Sequence, residues 1–366
     1  MDKRIRERQV LVTGCGGFVG YNLLNAMQAL GYTNIRATDI ALPKNLPAGI
    51  QFMKSDVTDK ASLEAVLEGC HGVIHVADLF DFFASKEQLF AVNVQGTKNI
   101  CEAAIDNHVT RMVRFSSGSI YKAGFNCNEE SPLQPIDQYA ESKMKGEKAA
   151  SEYNGDKGFK IALLRPAVIF GEGSRYGAAR IFMTQALMAK LLGMKLLPGD
   201  GNCKGPYVHV DDVVNAALHI YEHEGLFTGS RTPSDMAYNI NAMDAVSPRE
   251  IAEMADVNVK KTMLAKLIRD LVPAEYREMH VTRGIMDPVA MACAYGVKAL
   301  IKAGIIKRKP GAMLEPSEVD FMFCHDLTMD CGKIIAAGYE PMRTCSGDMP
   351  ETIRGLDRQG WYGMLM

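Results

Sequence analysis

Val10-Leu-Val-Thr-Gly-Cys-Gly-Gly-Phe-Val-Gly20 reads as an apolar strand, a glycine turn and the opening of a helix. The helix continues through Leu23, Leu24, Met27 and Leu30, which recur at helical spacing. Gly14, Gly17 and Gly20 follow a G-x-x-G-x-x-G spacing. Such a turn can take positive φ, bring its backbone close to a pyrophosphate and let the helix pack tightly on the strand. Phosphates would then meet the N–H groups of a helix N-terminus. The plain alternative is a turn without a ligand, since glycine turns between strand and helix are common.

The next segment favours the ligand. Asn34-Ile-Arg-Ala-Thr-Asp39 reads as a second strand, and it ends in an acid 19 residues beyond Gly20. That is close to the spacing at which a carboxylate meets the adenosine ribose hydroxyls. Asp39 would repel a 2′-phosphate, and no arginine follows within a few residues to offset it, so the pattern favours NAD over NADP. The competing role for Asp39 is a loop cap.

A second string, Tyr139-Ala-Glu-Ser-Lys143, places a phenol and an amine one helical turn apart on one face. A free phenol titrates near pH ~10 and is a poor base at neutral pH. An ammonium beneath it, together with an oxidised nicotinamide, would lower that pKa and make Tyr139 a usable acid or base. Arg114-Phe-Ser-Ser-Gly-Ser-Ile-Tyr121 is a strand running into small hydroxyl residues, which at the carboxyl end of a parallel strand face the ligand crevice.

Taken in order, these segments resemble an extended short-chain dehydrogenase/reductase, the family of NAD-dependent epimerases, dehydratases and 3β-hydroxysteroid dehydrogenases. The likeness also takes in Ser55-Asp-Val57, His75-Val-Ala77, Val92-Asn-Val-Gln-Gly-Thr97, Leu164-Arg-Pro166 and Tyr207-Val-His-Val-Asp-Asp212. It implies that Asp56 and Val57 frame the adenine, and that Phe18, Val19, Val76, Ala77, Ser116, Pro166 and Val168 line the cofactor. Lys143 would hold the nicotinamide ribose as well. Ser117 matches the catalytic serine or threonine, with Ser116 and Ser119 as competitors. Asn93 is counted with Ser117, Tyr139 and Lys143, although the matching asparagine more often has a structural role. Asp211 and Asp212 suit an N-terminal cap better than a catalytic pair.

The chain has 366 residues, of which 47% are hydrophobic, enough for one large or two modest domains. Its formal net charge of -2 offers nucleic acid no long-range attraction. Lys3-Arg-Ile-Arg-Glu-Arg8 reads as a solvated leader without the apolar core of a secretion signal. Nine cysteines without a C-x-x-C pair suggest reduced thiols and a cytoplasmic protein. Cys324, His325 and Cys331 lack a second ligand pair, so no metal site is expected.

Strand and helix patterns alternate as far as Arg165. The expected fold is therefore α/β: a Rossmann-type doubly wound parallel sheet with a smaller, mostly helical C-terminal substrate domain. The NAD-binding domain would comprise 1–171 plus 206–242, and the substrate domain 172–205 plus 243–366. Within the latter, Ile181 to Leu192 reads as an apolar helix, Pro198-Gly-Asp-Gly-Asn202 as a turn, and Ser247-Pro-Arg-Glu250 as N-cap, N1 and N3 of another helix.

Three features point to an apolar substrate. Asp78-Leu-Phe-Asp-Phe-Phe83 brings Phe80, Phe82 and Phe83 after a strand end that should face the pocket, with Asp78 and Ser119 as further substrate contacts. Val168 stands where nucleotide-sugar enzymes of the family often carry asparagine. Ile285 to Ile306 is almost wholly apolar and ends in Lys307-Arg-Lys309; it suits a helix over a lipophilic pocket or at a subunit interface, ahead of ordinary core or peripheral membrane contact. Asp287, Pro288 and two lysines argue against a transmembrane span. The resulting expectation is an NAD-dependent oxidoreductase acting on a steroid- or sterol-like secondary alcohol. Lys204, near the usual place of a phosphate-binding arginine, keeps open a nucleotide-sugar epimerase or dehydratase. A non-catalytic NAD-sensing protein is the alternative of another class. The family also implies a homodimer through the Tyr139 helix.

Overall fold

The computed structural model describes residues 3–81, 84–122, 124, 126–286, 288, 295 and 327–358. Seven parallel strands form the main sheet: β1 (Val10–Thr13), β2 (Ile35–Thr38), β3 (Gln51–Phe52), β4 (Gly72–His75), β5 (Arg111–Phe115), β6 (Lys160–Pro166) and β10 (Ala237–Ile240). Their order is β3-β2-β1-β4-β5-β6-β10, so the chain reverses direction across the sheet between β1 and β4. In open α/β sheets that reversal opens a crevice at the carboxyl ends of the strands. Thr13 there lies in register with Thr38 on one side and His75 on the other.

Alternation along β1 explains the layers. Val10 and Val12 face a core shared with α1 (Phe18–Ala29) and α7 (Val210–Glu222), through Leu23, Leu24, Met27, Val213 and Ala217. Leu11 points the other way, to α2 (Lys60–Leu67) and α4 (Gly96–Asp106), through Leu63, Val66, Ile100 and Ala104. Helices thus cover both faces, as an all-parallel sheet requires.

A third core joins α6 (Ala178–Leu192), α9 (Pro248–Asn258) and the helix Cys345–Arg358 through Phe182, Ala186, Ile251, Ala255, Met349 and Ile353. Ser247 and Glu250 form the capping box of α9 with Pro248 at its first position. The turn after β8 (Lys195–Pro198) takes positive φ at Gly199 and Gly201.

Three expectations are corrected. The N-terminal segment is only partly solvated: Arg4, Glu7 and Arg8 are exposed, but Ile5 is buried, and Arg6 makes a two-point contact with Glu222, Nε–Oε1 2.7 Å and Nη2–Oε2 3.0 Å. The described residues of 243–366 do not pack as one unit, because Met329, Cys331, Ile334 and Tyr339 join the core of the main sheet. Asp212 does not cap α7, whose N-cap is His209; it is fully buried and accepts from the Tyr339 hydroxyl and the Met342 and Arg343 amides. A carboxylate inside the first turn therefore ties the returning chain to the sheet.

Candidate active site

One cavity of about 740 Å³ runs from the glycine loop, past the end of β4, to the helical region. All the expected cofactor residues line it: Gly14, Gly17, Phe18, Val19, Gly20, Asp39, Asp56, Val57, Val76, Ala77, Ser116, Tyr139, Lys143, Pro166 and Val168. The loop fits a dinucleotide for steric and electrostatic reasons. Gly14 has φ +71°, and a Cβ there would lie 2.7 Å from the Ala77 backbone. A Cβ on Gly20 would overlap the Gly14 carbonyl oxygen. At the start of α1, Gly17 contributes no side-chain cap and the first turn carries no acid, which leaves the N-terminus suited to a diphosphate. Asp39 accepts from the Gly16 amide at 2.9 Å, so its carboxylate sits beside the loop. Gly20→Ala is expected to weaken NAD binding by at least about tenfold, or about 1.4 kcal/mol, in calorimetric titration. Unchanged affinity would contradict the steric account.

Thr13 joins the two strands at the crevice. Its Oγ1 accepts from the Ala77 amide at 3.1 Å and lies 2.8 Å from His75 Nδ1. His75 is fully buried, and burial beside Arg114 and Lys143 holds its pKa well below the ordinary value, so it remains neutral.

Helix α5 (Gln138–Tyr153) carries the phenol and the amine. Asp137 caps it by accepting from the Ala140 amide at 2.7 Å. The Tyr139 hydroxyl donates to Asp78 Oδ2 at 3.1 Å, and Lys143 Nζ donates to the same oxygen at 2.7 Å and to the Phe115 carbonyl at 2.9 Å. The expected lowering of the phenol's pKa joins the ammonium to an oxidised nicotinamide; among the side chains themselves, Asp78 takes up the ammonium and opposes that lowering. Burial first, and then Asp78, hold the phenol well above its usual range, while burial lowers the amine against the opposing pull of Asp78.

Ser117 caps the short turn Gly118–Ile120: its Oγ accepts from the Ser119 amide at 3.1 Å and lies 2.8 Å from Ser119 Oγ. Ser116 Oγ is buried without a hydrogen-bond partner among the described residues, and all three serines line the cavity. Asn93 is the exception within the expected catalytic set. Its amide does not line the cavity: Oδ1 accepts from the Leu79 amide at 2.8 Å, and Nδ2 donates to the Leu79 carbonyl at 3.2 Å and to Ser142 Oγ at 2.9 Å. It pins the residue next to Asp78 and is thus structural. Asn93→Ala is expected to cost about 1–3 kcal/mol in denaturant unfolding, since it strands buried polar groups. A change within about 0.5 kcal/mol, the usual span of a surface substitution, would contradict that role.

Past Tyr139 the cavity is lined by a run of apolar side chains, with Ser174, Arg175, Gln185, Cys203 and Lys204 among them. Phe80 meets Tyr139 edge-on at 4.8 Å between ring centroids and Tyr176 at 6.2 Å. Ile181, Leu196, Met286, Leu327 and Met329 continue the wall. Phe82 and Phe83 lie outside the described residues, as do Cys324, His325 and most of 285–309. Lys204 Nζ reaches Glu250 Oε2 at 2.5 Å, which neutralises the cation at the position considered for a phosphate. No group of metal-ligating side chains and no helix long and apolar enough to cross a membrane occurs among the described residues.

Sequence reasoning missed the support behind this site. Arg165 and Glu147, both 1% exposed, pair through Nε–Oε1 at 2.8 Å and Nη2–Oε2 at 2.7 Å. Arg165 also donates to the Tyr121 hydroxyl at 2.7 Å, which in turn donates to Asn239 Oδ1 at 2.7 Å. The available signal was Tyr139, Lys143 and Glu147 at four-residue steps, with one arginine in the apolar run of β6.

The model of the NAD dependent epimerase/dehydratase family matches residues 10–240. The 3beta-hydroxysteroid-dehydrogenase/decarboxylase isoform 2 of Arabidopsis thaliana is 28% identical over 264 residues, covering 66% of this chain and 46% of that protein, so the match spans less than half of that relative. The 3-beta-hydroxysteroid dehydrogenase of Mycolicibacterium neoaurum is 26% identical over 360 residues, covering 94% of this chain and 90% of the relative. Among solved structures, MoeE5 in complex with UDP-glucuronic acid and NAD aligns with a TM-score of 0.69 at 21% identity, over 96% of this chain and 99% of that one. Given the dinucleotide crevice and these likenesses, the chain belongs to the NAD dependent epimerase/dehydratase family of extended short-chain dehydrogenases/reductases and is similar to 3β-hydroxysteroid dehydrogenases.

Proposed function

We propose that the protein interconverts a secondary alcohol and a ketone on a largely apolar, steroid- or sterol-like substrate, with Tyr139, Ser117 and Lys143 as the acting side chains. The observation that carries this reading is a single cavity with the glycine loop at one end, the buried phenol and amine between, and the wall of Phe80, Ile181, Leu196, Met286 and Met329 beyond them. The relatives named as 3β-hydroxysteroid dehydrogenases support the same substrate class.

NAD, when bound, supplies the hydride acceptor. Gly14, Gly17 and Gly20 would admit its diphosphate, and Asp39 its adenosine ribose. Ser117 Oγ holds the alcohol oxygen, and Tyr139 Oη, once deprotonated, takes the hydroxyl proton. Lys143 keeps a positive charge beside that oxygen. The apolar wall orients the substrate and excludes water, which strengthens each of these contacts. A cytoplasmic homodimer, and the division into 1–171 plus 206–242 and 172–205 plus 243–366 modified by the packing of 329–339, belong to the same proposal.

Incubation with NAD and a panel of apolar secondary alcohols tests the reading by the absorbance of NADH. Net accumulation is the expected result. Turnover of a sugar nucleotide without net NADH would replace it with the epimerase or dehydratase reading, and NAD binding without any conversion would favour a non-catalytic sensor.

A further inference from the structure

Asp78 departs from the three acting side chains and yet touches two of them. It follows β4 in the loop pinned by Asn93, and its side chain is 17% exposed. Oδ2 accepts from both Tyr139 Oη and Lys143 Nζ, while Oδ1 is buried in the cavity wall with no hydrogen-bond partner among the described residues. A buried carboxylate oxygen left unpaired costs free energy comparable to a lost charged hydrogen bond. Its position beside the phenol and the amine suits a donor carried by a ligand, and the ligands of this cavity bring hydroxyl groups.

We propose that Asp78 is a positioning residue for the alcohol chemistry: Oδ2 holds the Tyr139 hydroxyl and the Lys143 ammonium as one neutral trio, and Oδ1 accepts a hydroxyl of the bound ligand. The inference rests on the reading of Tyr139 as the proton acceptor. Charge counting gives its consequence. The trio of carboxylate, phenol and ammonium is neutral, so losing a proton creates a buried net negative charge. Without the carboxylate, phenol and ammonium together carry one positive charge, and losing a proton makes them neutral. The first deprotonation becomes easier. Other groups facing the trio are Arg114 and His75 from β5 and β4, Asp137 ahead of α5, and Glu147 further along it. They stay unchanged when only residue 78 is replaced.

The hydroxyl has two sources, the cofactor ribose or the substrate alcohol, and the arms of one experiment distinguish them. Asp78→Asn is compared with the unaltered full-length protein, with Asp78→Ser as a second variant should the first fail to fold. In the protein without cofactor, pH titration followed by tyrosinate absorbance, with the Tyr139→Phe protein subtracted, is expected to begin at least one pH unit lower in the variant. Calorimetric titration with NAD alone is expected to show about tenfold weaker binding if Oδ1 takes a ribose hydroxyl. If NAD affinity is kept, KM for the alcohol should rise about tenfold instead, the loss expected of one charge-assisted hydrogen bond. A titration onset unchanged by the substitution overturns the proposal, and so does binding of both NAD and alcohol within twofold of the unaltered protein. Failure of every alcohol to react would sink the functional reading alone, since the titration and the NAD affinity are read without turnover.

Discussion

Tyr139→Phe is expected to lower kcat for alcohol oxidation by about 10²–10⁴-fold, the range typical of a lost general acid or base, while NAD affinity stays near that of the unaltered protein. The substitution removes one oxygen from a ring that is already 9% exposed and packed edge-on against Phe80. The ring's packing therefore remains, and α5 keeps its cap at Asp137. Loss of the hydroxyl releases one of the two donors to Asp78 Oδ2, which leaves Lys143 paired with that carboxylate. Single-turnover rates alongside NAD titration separate chemistry from binding. Near-normal turnover would remove Tyr139 from the mechanism.

The second large effect concerns stability. Arg165→Met is expected to cost about 3–5 kcal/mol, because it leaves the Glu147 carboxylate buried without its partner. It also removes donors from the Tyr121 hydroxyl and the Glu129 carbonyl, both on the segment that follows the serines. The double variant Arg165→Met with Glu147→Leu should recover much of the loss, since a buried ion pair can often be exchanged for apolar packing at little net cost. Denaturant unfolding of the three proteins measures both claims. A single variant within about 1 kcal/mol of the unaltered protein would show that the pair is not the brace behind the site.

How much of this was legible in the sequence follows from the range over which each interaction acts. The glycine loop, Asp39 and the Tyr139–Lys143 step are local patterns, set by one turn, one strand end and one helix face. Spacing alone marks them. The alternation of Val10, Leu11 and Val12 between two cores was equally readable, because strand side chains switch sides at each residue. Asp78 was visible as a cavity residue, but not as the partner of the phenol and the amine, since those contacts span 61 and 65 positions. They arise only when the sheet brings β4 beside α5. Arg6 with Glu222 and Asp212 with Tyr339 are similarly distant, at separations of 216 and 127. Arg6 therefore reads as solvated and Asp212 as a helix cap, because partners so far along the chain cannot be seen in the sequence. Asn93 illustrates a different failure: its residue type fits catalysis and loop pinning alike, and only the geometry of its amide separates them.

The most direct test of the account is the fate of one hydrogen. An apolar secondary alcohol labelled with deuterium at the carbinol carbon is oxidised with NAD, and the mass of the cofactor recovered is measured. The account predicts that NADH accumulates carrying the label, and that the Tyr139→Phe protein yields little of either. Unlabelled cofactor, or a label that returns to the substrate with no net NADH, would contradict it.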